Sequence, residues 1–117
     1  MKCTIYHNQK CSKSRAALEL LQSKGLEPSI IEYLKNPPTF DELEEIIIKL
    51  NIHPKQLIRF KENKAKELGI SANDSLTYKQ WMKILTKNPE LIERPIVVTS
   101  KGAVIGRPPE NVFKLLN

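Results

Sequence analysis

Residues 2–34 read KCTIYHNQKCSKSRAALELLQSKGLEPSIIEYL, and the order of elements within this stretch decides the fold. Lys2 to Tyr6 is short and β-prone and runs into the polar segment His7-Asn8-Gln9-Lys10, the pattern of a strand and its exit loop. From Ser12 to Lys24, the residues Ala17, Leu18, Leu20 and Leu21 share one broad face. Gly25 supplies the stop, so the spacing predicts a helix of about three turns. Ser29 to Leu34, with Ile30, Ile31 and Tyr33, reads as a second strand. A strand–helix–strand order of this length implies two parallel strands joined by a right-handed crossover.

Outward from this stretch the chain turns helical. Thr39 and Glu42 have the spacing of a capping box, and Leu43, Ile46, Ile47 and Leu50 then repeat as an amphipathic helix requires. His53-Pro54 opens a shorter helical stretch through Leu57, Ile58 and Arg59, and Gly69 closes the next one. Thr77 and Gln80 form a second capping box, followed by Tyr78, Trp81, Met82 and Leu85 at core spacing, and Asn88-Pro89 ends that helix. Then the period changes. Ile96-Val97-Val98-Thr99 and Ala103-Val104-Ile105 flank Ser100-Lys101-Gly102, a tight hairpin signal. Gly106-Arg107-Pro108-Pro109 turns the chain into a closing helix marked by Val112, Leu115 and Leu116. The sum is an α/β fold: a thioredoxin-like four-stranded mixed sheet with an all-helical insertion at about 39–92, in a single domain spanning 1–117.

Composition narrows the class. Among 117 residues, 40% are hydrophobic and 27% charged, too apolar for a disordered chain and enough for a real core. Two cysteines, Cys3 and Cys11, cannot supply a disulfide framework. No apolar run approaches the ~18 residues of a membrane span, and the opening residues lack the apolar stretch of a signal peptide. A soluble cytoplasmic protein without membrane contact is therefore expected. The net charge of +6 favours anionic partners, either nucleic acid or small oxyanions. Its lysines (Lys10, Lys35, Lys49, Lys61, Lys79 and Lys101 among them) are scattered, and no nucleic-acid motif accompanies them, so nucleic acid is not the expected partner.

Cys11 lies between a strand end and a helix start, where unpaired N–H groups and the helix dipole favour an anion. Lys10, Lys13 and Arg15 act in the same direction, with His7 a further candidate. Two readings stand on these residues alone: a reactive thiolate, or a structural cysteine in a solvated basic loop. Cys3, mid-strand, reads as a small buried residue too far from Cys11 for a disulfide. Because position 14 is Ser, the Cys-x-x-Cys redox pair is absent, and a single thiol must take its electrons from an outside thiol. Ala17 stands where a phosphatase-like loop would place Arg, and no set of metal ligands is present. Arg59, Arg94 and Arg107 each sit at an element boundary, where rigid neighbours can aim a bidentate guanidinium at an oxyanion. Pro95 is a candidate cis proline.

Taken together, His7-Asn8-x-x-Cys11-Ser12-x-Ser14-Arg15, Glu93-Arg94-Pro95-Ile96-Val97-Val98 and Ile105-Gly106-Arg107-Pro108-Pro109-Glu110 resemble the glutaredoxin-coupled arsenate reductase family (ArsC), in its short form, from Lys2 to Leu116. The resemblance implies that Cys11 is the nucleophile and that Arg59, Arg94 and Arg107 bind the oxyanion. It implies that His7 helps to ionise the thiol and that Ser14 hydrogen-bonds it. The family usually has Pro two residues before the cysteine, where this chain has Gln9. The implied reaction reduces arsenate to arsenite through a cysteine–arsenate adduct. Glutathione is the co-substrate, glutaredoxin the partner, and no cofactor or metal is bound. On this reading, loss of Arg94 or Arg107 weakens arsenate use with little change in the thiol pKa. Two rivals are a glutathione-linked oxidoreductase of another substrate and a redox-related regulator.

Overall fold

The computed structural model describes residues 2–116. They fall into two units, one taking the chain up to Asn36 and again from Arg94, the other running from Pro37 to Glu93.

The first unit is built on β1 (Cys3–His7), α1 (Ser12–Ser23), β2 (Ser29–Glu32), β3 (Ile96–Thr99) and β4 (Gly102–Ile105), closed by a 3₁₀ helix over Pro109–Leu115. The sheet order is β2-β1-β3-β4, with β1 parallel to β2 and antiparallel to β3, and β3 antiparallel to β4. This is the expected four-stranded mixed sheet. Register places Ile5 beside both Ile30 and Val97, so alternate residues of neighbouring strands share a face. On that face Cys3, Ile5 and Val97 join Ala17 and Leu21 of α1 and Val112 and Leu115 of the closing helix in one buried cluster. Each large side chain buried there contributes roughly 1.5–3 kcal/mol. Helix α1 ends in a Schellman motif: the N–H of Gly25 reaches the carbonyl of Gln22 at 3.0 Å and that of Leu26 the carbonyl of Leu21 at 3.2 Å. Gly25, at φ 79°, fits the left-handed turn that this motif needs. The closing segment differs from the expected α-helix because it winds throughout as 3₁₀.

The second unit holds α2 (Phe40–Leu50), α3 (Asn63–Leu68) and α4 (Tyr78–Lys87), with 3₁₀ turns at Pro54–Leu57 and Pro89–Leu91. Both capping boxes form as the sequence predicts, Thr39 with Glu42 and Thr77 with Gln80. The apolar residues at helical spacing, Leu43, Ile46 and Ile47 in α2 and Trp81, Met82 and Leu85 in α4, are buried, and α2 packs on α4. Tyr78 departs from that pattern. It is exposed and donates its hydroxyl to Glu44 at 3.2 Å, because position N1 of α4 faces outward. No helix among the described residues is long and apolar enough to cross a membrane.

Candidate active site

Cys11 is the residue at which β1 and its loop become α1. It occupies the N-cap with extended backbone, φ −95° and ψ 121°. The turn before it closes when the N–H of Cys11 donates to the carbonyl of Asn8 at 2.9 Å, and the helix begins when the N–H of Arg15 donates to the carbonyl of Cys11 at 3.0 Å. An N-cap oxygen would accept from the second and third N–H groups of the helix. Here a sulfur takes that place. It closes no regular cap bond, yet the N–H groups of Ser14 and Lys13 favour its charged form. No acidic residue stands in the first turn to oppose this.

The loop carries Gln9 two residues before the cysteine, and hydrogen bonds hold it in shape. Asn8 Oδ1 accepts from the N–H of Lys10 at 3.0 Å, and Arg15 Nη1 donates to the carbonyl of Gln9 at 2.8 Å. Ser14 Oγ accepts from the N–H of Asn8 at 3.1 Å and lies 2.6 Å from Nδ1 of His7, both side chains being buried. So the hydroxyl of Ser14 serves His7 and the loop, while its backbone N–H serves the sulfur.

The opposite wall comes from the two loops flanking the β3–β4 hairpin. The peptides Arg94–Pro95 and Arg107–Pro108 are both cis. The N–H of Gly106 donates to the carbonyl of Pro95 at 2.8 Å, and Arg107 Nε donates to the carbonyl of Arg94 at 2.7 Å. Gly106 permits this closeness, since a Cβ there would lie 2.8 Å from Cγ of Pro95. Asn111 Nδ2 steadies the turn by donating to the carbonyls of Ile105 and Arg107, each at 3.1 Å. From this frame Arg107 Nη2 reaches Sγ of Cys11 at 3.5 Å.

Burial pushes the Cys11 thiol up, but the backbone N–H of Ser14, the Arg94 guanidinium and the N–H of Lys13 together bring it below its ordinary value. Arg107 Nη2 lies 3.5 Å from the sulfur, and Arg94 favours its charged form by hydrogen bond and by charge. This differs from the expectation that loss of Arg94 changes the thiol pKa little. Cys3, by contrast, is pushed up by burial alone. Both cysteines are free. His7 is pushed down, first by burial, with Glu32 opposing and Arg15 assisting. That environment favours a neutral imidazole over the cation the sequence offered. The side chains of Lys10, Lys13 and Arg15 are exposed.

Among the predicted site residues, Cys11, His7, Ser14, Arg94 and Arg107 lie together in the first unit. Arg59 lies in the helical unit, where its guanidinium meets Glu62 Oε1 at 3.0 Å and Glu93 Oε1 at 2.9 Å. Tyr33 is a residue that sequence reasoning read only as part of a strand. It follows β2, is 1% exposed, and its hydroxyl has no hydrogen-bond partner among the described residues. Burial pushes that phenol up, while Arg94 and Asn8, approaching without reaching bonding geometry, pull it down. No signal in the sequence marks such an orphaned group, because it exists only once the neighbouring loops are in place. No cluster of three or more potential metal ligands occurs among the described residues.

Comparison with known proteins covers nearly the whole chain. A family model described as the ArsC family matches residues 6–115. An arsenate reductase of Escherichia coli (strain K12) is 42% identical over 97% of this chain and 79% of its own length. A second protein of that strain, named "Uncharacterized protein YfgD", is also 42% identical, over 96% of this chain and 94% of its own. Among solved structures, an arsenate reductase from Vibrio cholerae superposes with a TM-score of 0.92 at 40% identity, covering 97% of each chain.

Proposed function

Because the chain belongs to the ArsC family, we propose that it is an arsenate reductase in which Cys11 is the nucleophile. The observation that carries this reading is the sulfur itself: a thiol held below its ordinary pKa at a helix N-cap, with Arg107 Nη2 at 3.5 Å. The similar arsenate reductase of Escherichia coli suggests the substrate. The match across residues 6–115 supports treating the chain as one functional domain, with 39–92 as its insert.

The thiolate of Cys11 attacks As(V), a sulfur–arsenic bond forms, and one oxygen leaves as water after taking up protons. Arg94 and Arg107 neutralise the oxyanion and orient it for that attack. The glutathione thiol then attacks the arsenic of the adduct, forming a second sulfur–arsenic bond as another oxygen leaves as water. A glutaredoxin thiolate attacks the arsenic-bound glutathione sulfur, and the two sulfurs are oxidised to a mixed disulfide. The pair of the broken sulfur–arsenic bond reduces arsenic to As(III), and water then releases arsenite from Cys11. An outside thiol is required on this reading because Ser14 removes the second cysteine of a Cys-x-x-Cys pair. We place the reaction in the cytoplasm, where such thiols are kept reduced. The resemblance also gives Arg59 to the oxyanion and His7 and Ser14 to the thiolate, and substitution of each by Ala tests those roles.

The decisive experiment is mass spectrometry of the protein incubated with arsenate and glutathione. An arsenic adduct confined to residue 11, lost in Cys11→Ser and kept in Cys3→Ala, supports the reading; equal loss of activity in both variants sinks it. A second reading has one observation in its favour: the relative named YfgD is as similar as the arsenate reductase of the same strain. On that reading the protein is a glutathione-linked oxidoreductase of another substrate, with no arsenate-dependent turnover.

A further inference from the structure

We propose that Tyr33 is a substrate-contacting residue of this site, donating its phenolic hydrogen to an oxygen of the tetrahedral anion that Cys11 engages. The inference deepens the proposed function, taking from it only that the anion is an oxyanion. Tyr33 follows β2 at the C-terminal end of the parallel pair β1–β2, the end of such strands at which ligands gather. Its side chain is 1% exposed and its hydroxyl has no hydrogen-bond partner among the described residues. Buried hydroxyls are nearly always satisfied, because an unmade bond costs the full desolvation of the group.

The chemistry of its neighbours says which half of that hydroxyl is unmet. Arg94 and Asn8 both favour the charged form of the phenol, the effect of donor groups near its oxygen, though neither reaches bonding geometry. A guanidinium has no lone pair to offer. The carbonyl oxygen of the Asn8 side chain is already engaged by the N–H of Lys10 at 3.0 Å, which turns its NH₂ towards other acceptors. Donors therefore face the lone pairs of Tyr33, and its O–H lacks an acceptor. Cys11, when charged, also acts on the phenol. The missing group must carry lone pairs and be compatible with Arg94 and Arg107, and an oxyanion oxygen meets these demands. Burial holds the phenol above its ordinary pKa, so it stays protonated as a donor. No proton changes owner in this contact.

Tyr33→Phe removes one oxygen and leaves the ring, and it is tested in a Cys3→Ala background so that Cys11 alone reports. The readout is protection of Cys11 from iodoacetamide by inorganic phosphate, a tetrahedral anion that thiols do not reduce. The phosphate concentration for half-protection is expected to rise about tenfold in Tyr33→Phe. The urea midpoint should be unchanged or higher, since the variant deletes a polar group with no protein partner. Equal half-protection in the two proteins, no protection in either, or a lowered urea midpoint overturns the inference. Absence of arsenate turnover in the native enzyme rejects arsenate as substrate and leaves the phosphate measurement standing.

Discussion

Arg107 Nε donates to the main-chain carbonyl of Arg94 at 2.7 Å, so the side chain of Arg107 is positioned by the loop that carries Arg94. The same guanidinium reaches the sulfur through Nη2 at 3.5 Å, which leaves one side chain doing both tasks. A planar fork can bond in two directions at once, and a lysine ammonium cannot reproduce that geometry.

Arg107→Lys should therefore lower kcat/KM for arsenate by roughly 10–100-fold, the range expected when a hydrogen bond to a charged group worth ~1.5–3 kcal/mol is lost. Arg94→Ala should do the same and in addition raise the Cys11 pKa, because Arg94 stabilises the thiolate by hydrogen bond and by charge. Ultraviolet titration of the thiolate in a Cys3→Ala background checks the second effect. An unmoved thiol in Arg94→Ala contradicts the electrostatic role.

Ser14→Ala separates side chain from backbone. It removes the 2.6 Å contact with His7 and leaves the N–H of Asn8 without its acceptor, for an expected loss of about 1–3 kcal/mol in urea unfolding. The backbone N–H that supports the sulfur is retained. The thiol pKa should move less than in Arg94→Ala. A larger shift assigns the hydroxyl, not the N–H, to the thiolate.

His7 makes stability depend on pH. Its pKa is lowered in the folded protein from an ordinary 6.5, so between the two values the unfolded chain binds more protons than the native one. Stability contributed by burying neutral His7 is present above 6.5 and is lost as pH falls below that value towards the folded pKa. Chemical denaturation between pH 7 and pH 5 should show this fall in the native protein. A smaller fall is expected in His7→Asn, and identical slopes count against it.

Gly106→Ala should cost about 1–3 kcal/mol, the usual penalty for overpacking. Its new Cβ meets Cγ of Pro95 at 2.8 Å and Cβ of Ala17 at 3.3 Å, both part of the frame behind the arginines. Thermal unfolding measures the loss. Arsenate KM should rise with it, because the Arg94 and Arg107 loops are forced apart.

Local features were legible in the order of residues alone. Thr39 and Thr77 cap their helices, Gly25 ends α1, and Ser100-Lys101 turns the hairpin between β3 and β4, since each depends on residues within a few positions of one another. The motif around Cys11 was legible for the same reason: a sulfur next to a helix start meets helix N–H groups wherever that helix packs. The surroundings of Arg94, Arg107, Tyr33 and Ser14 arise only on packing. The arginines were legible as residues aimed by rigid neighbours, but their pairing rests on the contact of Gly106 with Pro95 across a hairpin. The orphaned hydroxyl of Tyr33 and the bond of Ser14 to His7 depend on burial, which removes water as the alternative partner. Local pattern carries short-range hydrogen bonding, whereas desolvation and the meeting of distant loops are properties of the packed chain alone.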